Sequence, residues 1–105
     1  MNIVQHFYEA AEKHPESIAL IEKGKTLRYK DFLSSVLAIR RGLEKQGVKP
    51  GDNIMVLIGL SGSLYAHILA VFSLGAAVVL VDSLKPKERV SYGFKKARCR
   101  FLLTT

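Results

Sequence analysis

Histidine and cysteine side chains carry much of enzyme catalysis and metal binding, and in this chain they are scattered. His6, His14 and His67 have no acidic residue or cysteine at the spacing of a metal site, which indicates surface or buried, hydrogen-bonded histidines. Cys99 lies between two arginines, and neighbouring cations lower the pKa of a thiol. A thiolate nucleophile is therefore one interpretation of Cys99, and a small, half-buried residue at a strand entrance is the one that we favour.

Two aspartates and one glycine-rich turn are the other candidates for chemistry. Asp31 falls in the first turn of a predicted helix, where the helix dipole favours an anion, and Asp52 falls in a tight turn, so both are interpreted as structural. Residues 59–63, Gly-Leu-Ser-Gly-Ser, are weighed as a phosphate cradle, but no lysine is their neighbour in the sequence. The chain contains neither Gly-x-x-x-x-Gly-Lys-Ser/Thr nor Gly-x-Gly-x-x-Gly. We therefore favour a plain strand-to-helix turn and expect no catalytic residue and no metal ligand in this chain.

A cluster of cations near the C-terminus holds most of the net charge of +7. Its members are Lys85, Lys87, Arg89, Lys95, Lys96, Arg98 and Arg100, with Glu88 as the one acid among them. Three interpretations stay open: a solvated helix face, which we favour, a nucleic-acid site, or a surface that attracts an anionic cofactor such as coenzyme A. Tyr92, Phe94 and Phe101 interleave with the cations as a stacking platform would require. However, Phe94 shares a helical face with other apolar residues and is expected to pack on a sheet, so nucleic acid is not the favoured partner.

Length and composition limit what this chain is. Its 105 residues amount to about one small domain, and 49% hydrophobic with 24% charged residues is typical of a folded globular chain. A single cysteine and the lack of a signal-peptide pattern favour a cytoplasmic location. The stretch 53–81 has no acidic, lysine or arginine side chain and is long enough to cross a bilayer. Glycines and serines divide it into strand, helix and strand, so we predict no membrane span.

Hydrophobic periodicity predicts an α/β fold in two parts. The first part is an N-terminal helix, a β-hairpin and a second helix: about Ile3–Lys13, Ile18–Glu22, Thr26–Tyr29 and Lys30–Gln46. The second part alternates strand and helix: Ile54–Ile58, Ser63–Leu74, Ala77–Val81, Pro86–Lys96 and Arg100–Leu103. This βαβαβ order predicts parallel strands in a doubly wound layer.

Two features predict that this layer is part of a larger sheet. The helix from Leu64 to Leu74 is apolar around nearly its whole circumference, which requires cover on both sides. The sequence also stops directly after a strand, where an open sheet usually continues and where ligands usually bind. We expect the isolated chain to form homo-oligomers by covering this helix.

Short motifs in a fixed order resemble those of adenylate-forming enzymes. The motifs are Thr26-Leu27-Arg28-Tyr29-Lys30-Asp31-Phe32, Gly47-Val48-Lys49-Pro50-Gly51-Asp52, Phe72-Ser73-Leu74-Gly75-Ala76-Ala77, Pro86-Lys87-Glu88-Arg89 and Phe101-Leu102-Leu103-Thr104. The resemblance covers nearly the whole chain. It departs from the family pattern where Leu80-Val81-Asp82-Ser83 replaces a proline-leucine pair, and where Arg98 replaces a usual glycine.

The resemblance implies the N-terminal fragment, residues 1–105, of the large AMP-binding domain of an acid-thiol ligase of the acyl-CoA synthetase type, as found in fatty acid metabolism. Such a ligase forms an acyl-adenylate from ATP and a carboxylic acid, with magnesium, and then a thioester with coenzyme A or a carrier-bound thiol. The resemblance implies that this fragment is inactive alone, binds none of these cofactors itself and has the remainder of the ligase chain as its partner. By the same resemblance Asp82, Ser83 and Leu84 lie on the coenzyme A side. The alternative is a free-standing basic α/β binding or interaction module, with nucleic acid as one partner class.

Overall fold

The computed structural model of the chain describes residues 3–59, 61–81 and 86–104. Its elements in chain order are α1 (Ile3–Lys13), β1 (Ile18–Glu22), β2 (Lys25–Arg28), α2 (Tyr29–Lys45), β3 (Asn53–Leu57), α3 (Gly62–Ser73), β4 (Ala77–Leu80), α4 (Lys87–Lys96) and β5 (Phe101–Thr104). Every predicted element is present with ends within one residue of the prediction. The predicted α/β class is confirmed.

Three parallel strands form the central sheet, in the order β4-β3-β5. Ile54 of β3 lies opposite Val78 of β4 and Phe101 of β5, so the predicted parallel pairing is confirmed. Ile54, Met55 and Val56 have no exposed surface. A central strand that is buried on both faces has no polar side to alternate with, which explains its continuous apolar sequence.

Helices cover both faces of the sheet, as the doubly wound prediction requires. Ile54 and Val56 belong to the main core, together with Val36 of α2 and Val71 of α3. Met55 points to the opposite face because successive side chains alternate along a strand. On that face α4 passes so close that a Cβ added to Gly93 would lie 3.6 Å from Met55 Cε.

The N-terminal elements pack on the outer side of α2. The β1–β2 hairpin turns through Lys23 and Gly24, both with positive φ (50° and 77°), the combination that a two-residue hairpin loop requires. Phe7 of α1 contacts the Phe32 ring edge-to-face, with the ring centroids 5.3 Å apart.

Helix α3 is covered by α2 and the sheet over part of its circumference. Its buried residues are Leu64, Ala66, Ala70 and Val71. Tyr65 and Phe72 stay 45% and 38% exposed, so the predicted need for further cover agrees with the structure. Self-association through this face stays a prediction. In the part of the chain that the structure describes, no helix combines the length and apolar character that crossing a bilayer requires.

Three helices end in the same backbone motif. After α2, α3 and α4 the chain enters the left-handed region at Gly47 (φ 92°), Gly75 (φ 75°) and Arg98 (φ 54°). In each case the N–H of the next residue donates to a carbonyl oxygen in the last turns of the helix: Val48 to Leu43, Ala76 to Val71 and Cys99 to Phe94. This is the Schellman motif, which favours glycine because a Cβ is crowded at positive φ. Arg98, which replaces the usual glycine of the family pattern, therefore has a side chain at a position where the backbone conformation favours glycine.

Replacing Arg98 with glycine should stabilise the fold. We expect Arg98→Gly to raise the free energy of unfolding by about 0.5–1 kcal/mol, because the crowding at positive φ is removed. Gly47→Arg is the matched control, since no atom lies within 4 Å of its added Cβ and only the backbone conformation is tested. It should lower the free energy by about 1 kcal/mol in the same urea titration. A loss of stability in Arg98→Gly would contradict this account.

Asp52 ties together the amino ends of the strands. Its Oδ2 accepts the Lys49 N–H at 2.8 Å, and Arg100 Nη1 lies 3.0 Å from both carboxylate oxygens. Its carbonyl oxygen accepts the N–H of Ala77, the first residue of β4, at 2.8 Å. The pKa of Asp52 is lowered, first by the Lys49 N–H and then by Arg100. The structural interpretation of Asp52 thus agrees with its contacts.

Asp52→Asn should change how stability depends on pH. Because the folded-state pKa of Asp52 is below its unfolded value, its contribution is present above the ordinary carboxyl pKa and is lost as the pH falls through the folded value. The variant should be less stable than the parent at pH 7, and the gap should close between about pH 5 and pH 2. Urea titrations across this range measure it, with the exposed Asp31→Asn as the control. A gap that is constant with pH would refute the assignment.

Candidate functional site

The carboxyl edge of the sheet is where a doubly wound fold binds ligands. From β3 the chain crosses to β4 on one side, and β5 then lies on the other side, so the direction of winding reverses between β3 and β5. A crevice forms outside the strand ends at such a point. Gly59 and Ser61 follow β3 at this edge, and Thr104 ends β5.

Ser61 begins α3 as its N-cap. Its Oγ accepts the Leu64 N–H at 3.2 Å and lies 3.0 Å from the Gly59 carbonyl oxygen, to which it donates. A serine at this position satisfies one of the free N–H groups of the first turn. The contacts of Ser61 therefore agree with the predicted strand-to-helix turn.

A carboxylate from the hairpin occupies the N-terminus of α3. Glu22, the last residue of β1, accepts a hydrogen bond from the Gly62 N–H. The first turn of α3 has no acidic residue of its own, and Glu22 supplies the negative charge that the helix dipole favours. The Gly62 N–H, which a phosphate cradle would use, is thus already bound to Glu22. This contact favours the plain turn over the phosphate cradle.

A groove of about 740 Å³ lies between the hairpin, α2 and α3. Its lining is mostly apolar and consists of Leu20, Glu22, Lys23, Lys25, Thr26, Leu27, Phe32, Ser35, Ala38, Ile39, Gly62, Ser63 and Ala66. The structure brings Lys23 and Lys25 into the same groove as Ser63, although no lysine is near that turn in the sequence. Sequence reasoning missed these lysines and Glu22 because about 40 residues separate Glu22 from Gly62.

Gly62 permits the close approach of the hairpin to α3. A Cβ added to Gly62 would lie 2.7 Å from both Leu20 Cδ2 and Glu22 Oε2. Real Cβ contacts are not that short, so with any larger residue the ends of the Leu20 and Glu22 side chains must move.

Gly62→Ala should destabilise the chain although alanine favours helices. We expect a loss of about 1 kcal/mol in the free energy of unfolding, the lower end of the usual cost of overpacking, because both crowded atoms end flexible side chains. Gly59→Ala is the control, because no atom lies within 4 Å of a Cβ there. Urea unfolding of the two variants measures the difference. Equal effects at both glycines would show that the hairpin does not press on α3.

His67 and Cys99 are engaged in structural contacts, whereas His6 and His14 are exposed, as surface histidines would be. His67 Nδ1 lies 2.7 Å from the Ser63 carbonyl oxygen one helical turn earlier, so this nitrogen carries the proton and donates. Cys99 is buried, and burial raises the pKa of its thiol, which disfavours the thiolate interpretation. Within residues 3–59, 61–81 and 86–104, no group of three His, Cys, Asp or Glu side chains is placed to hold a metal ion.

Asp82, Ser83 and Leu84, the predicted coenzyme A side, lie outside the described residues. Their role stays a prediction. The preceding strand, β4, is separated from β5 by β3, so this loop follows a different strand from the two that flank the crevice.

Of the basic cluster, Lys85 lies outside the described residues, and Lys87 and Arg89 are exposed near the start of α4. The other four cations lie near its end. Arg100 is bound to Asp52, and its guanidinium also lies 5.1 Å from the centre of the Phe101 ring. Lys95, Lys96 and Arg98 are exposed at the C-terminal end of α4. This end lies at the amino edge of the sheet, because Asn53 Nδ2, at the start of β3, donates to the Ala97 carbonyl oxygen at 2.7 Å. These cations are therefore opposite the crevice.

Comparison with protein families gives one match over nearly the whole chain. The family described as AMP-binding enzyme matches residues 7–105. Malpibaldin synthetase of Mortierella alpina is 35% identical over 102 residues, 96% of this chain and 2% of the relative. Gramicidin S synthase 2 of Brevibacillus brevis is 31% identical over 98 residues, 93% of this chain and again 2% of the relative. The chain thus spans a small part of these synthetases.

Solved structures also match this chain over nearly its whole length. The NpsA N-terminal subdomain of Klebsiella oxytoca, in complex with 3-hydroxybenzoyl-AMSN, superposes with a TM-score of 0.92 at 25% identity, over 98% of this chain and 26% of that one. The nonribosomal peptide synthetase FmoA3 (S1046A) gives a TM-score of 0.92 at 25% identity, over 100% of this chain and 11% of that one. None of these four names mentions coenzyme A or a fatty acid, so the comparisons do not support that part of the sequence interpretation.

Proposed function

Because this chain belongs to the AMP-binding enzyme family, we propose that it forms the N-terminal part of an adenylation domain, which joins a carboxylic acid to AMP and releases pyrophosphate. The match over residues 7–105 carries this proposal. The structural likeness to a subdomain with a bound acyl-AMSN compound supports it. Residues 1–105 then belong to the larger, AMP-binding domain of the whole protein.

The acceptor of the acyl group is a carrier-bound thiol rather than free coenzyme A. The similar structure FmoA3 is described as a nonribosomal peptide synthetase, and another similar structure as an adenylation-PCP di-domain of such a synthetase. A carrier in the same assembly presents its thiol at high effective concentration, which free coenzyme A does not match. This proposal replaces the acyl-CoA synthetase interpretation of the sequence.

The described residues of this chain bring no three metal-ligating side chains together, and the N-terminus of α3 is engaged by Glu22. We propose that nucleotide binding and catalysis fall to the remainder of the domain. The contribution of this chain is to hold the carboxyl edge of the sheet and the hairpin in fixed positions.

The test is pyrophosphate exchange into ATP by the polypeptide extended with the coding sequence in frame after Thr105. We expect exchange that depends on an amino acid or aryl acid, no exchange with fatty acids, and none with the 105-residue chain alone. Transfer to a carrier-bound phosphopantetheine thiol should exceed transfer to free coenzyme A.

The possible results separate the two parts of this proposal. Fatty-acid-dependent exchange with transfer to coenzyme A would restore the acyl-CoA synthetase interpretation and refute the carrier thiol. A stop codon directly after Thr105, or an extended chain without any acid-dependent exchange, would refute the adenylation function.

A further inference from the structure

The outward side of α4 is a charged surface that the adenylation function does not use. We define the α4 face as Arg89, Tyr92, Lys95, Lys96 and Arg98, all of them exposed. The inward side of the same helix consists of the half-buried Val90, Gly93, Phe94 and Ala97. The helix is therefore anchored on the sheet by one side, and on the other it presents four cations, one aromatic ring and, in its first turn, the exposed Glu88.

The cations of the α4 face have no anionic partner within the described part of the chain. The ion pairs there join Lys30 with Glu16, Arg40 with Glu44 and Arg100 with Asp52. Lys96 lies over the Tyr92 ring, 5.6 Å from its centre, and this contact holds the two side chains together.

Helix stability explains only some of these cations. Lys95 and Lys96 in the last turn of α4 complement the helix dipole. Arg89 is near the other end of the helix, where the dipole does not favour a cation. Arg98 adopts positive φ, at a position that α2 and α3 fill with glycine. A side chain kept in a crowded backbone conformation points to a function outside the fold.

The aromatic residues favour a protein partner over nucleic acid. Phe94 and Phe101 are half-buried, and Phe101 packs on the core, so neither is free to stack on bases. Tyr92 is 65% exposed and contacts a cation. A stacking platform for single strands needs successive open rings, whereas tyrosine and arginine are enriched where proteins bind one another.

We propose that the α4 face binds an acidic segment of a partner protein. Carboxylates of the segment pair with Lys95, Lys96 and Arg98, and the Tyr92 ring packs at the centre of the contact. Because Lys95, Lys96 and Arg98 lie at the amino edge of the sheet, carboxylates that pair with them leave the crevice between β3 and β5 accessible.

Binding of a fluorescent polyglutamate peptide to the full chain, followed by anisotropy at low salt, tests the charge requirement. The variant K95E/K96E/R98E should bind at least about tenfold more weakly than the parent. The variant K13E/K25E/K45E has the same net charge and also loses two cations from last turns of helices. It should stay within about threefold of the parent. Circular dichroism checks that both variants are folded.

A second pair of variants tests the aromatic contact. Tyr92→Ala should weaken binding by about tenfold, because interface tyrosines act as anchors. Tyr65→Ala removes an exposed tyrosine from α3 instead and should leave binding unchanged.

Three results would overturn the proposal. One is no binding of polyglutamate by the parent chain, and another is an equal loss in the two triple variants, which would show that net charge alone is responsible. The third is tighter binding to single-stranded RNA than to polyglutamate at the same ionic strength, which would assign the α4 face to nucleic acid.

Discussion

The burial of β3 on both faces is the constraint on which the rest of the structure depends. Ile54 and Val56 require cover from α2 and α3, while Met55 between them requires cover from α4. A single strand thus fixes the side of the sheet on which each helix lies. Because β3 is central, β4 and β5 must pair on opposite edges, and the crevice at their carboxyl ends follows from that order.

Polar contacts then set the positions of elements that apolar burial alone does not orient. Asp52 joins the turn after α2 to the starts of β4 and β5 at the amino edge of the sheet. Glu22 joins the hairpin to the start of α3 at the carboxyl edge. Each carboxylate accepts a backbone N–H, so one acidic side chain at each edge positions an element that the core alone does not orient.

The two edges separate two functions. The carboxyl edge is where a doubly wound fold binds small molecules, and the family match is the basis on which we propose nucleotide chemistry for the whole domain. The amino edge presents Lys95, Lys96 and Arg98, at the opposite ends of the strands from that crevice. A partner at the amino edge and a substrate at the carboxyl edge are therefore compatible.

The sequence by itself determined the elements, the parallel layer and the family. Hydrophobic periodicity locates α1 and β1 to the residue and the other elements within one residue, because period and turn residues are local properties. The ordered motifs carry the family resemblance, which the match over residues 7–105 confirms. They do not by themselves separate a carrier thiol from coenzyme A.

Only the tertiary structure decided which distant groups meet. Nothing local to residue 22 predicts that its carboxylate contacts Gly62, and nothing beside residues 59–63 predicts that Lys23 and Lys25 share their groove. The departure from glycine at Arg98 is visible in the sequence, but its positive φ is a property of the folded helix end. Contacts between residues far apart in the chain depend on how whole elements pack, and no short window of sequence contains that information.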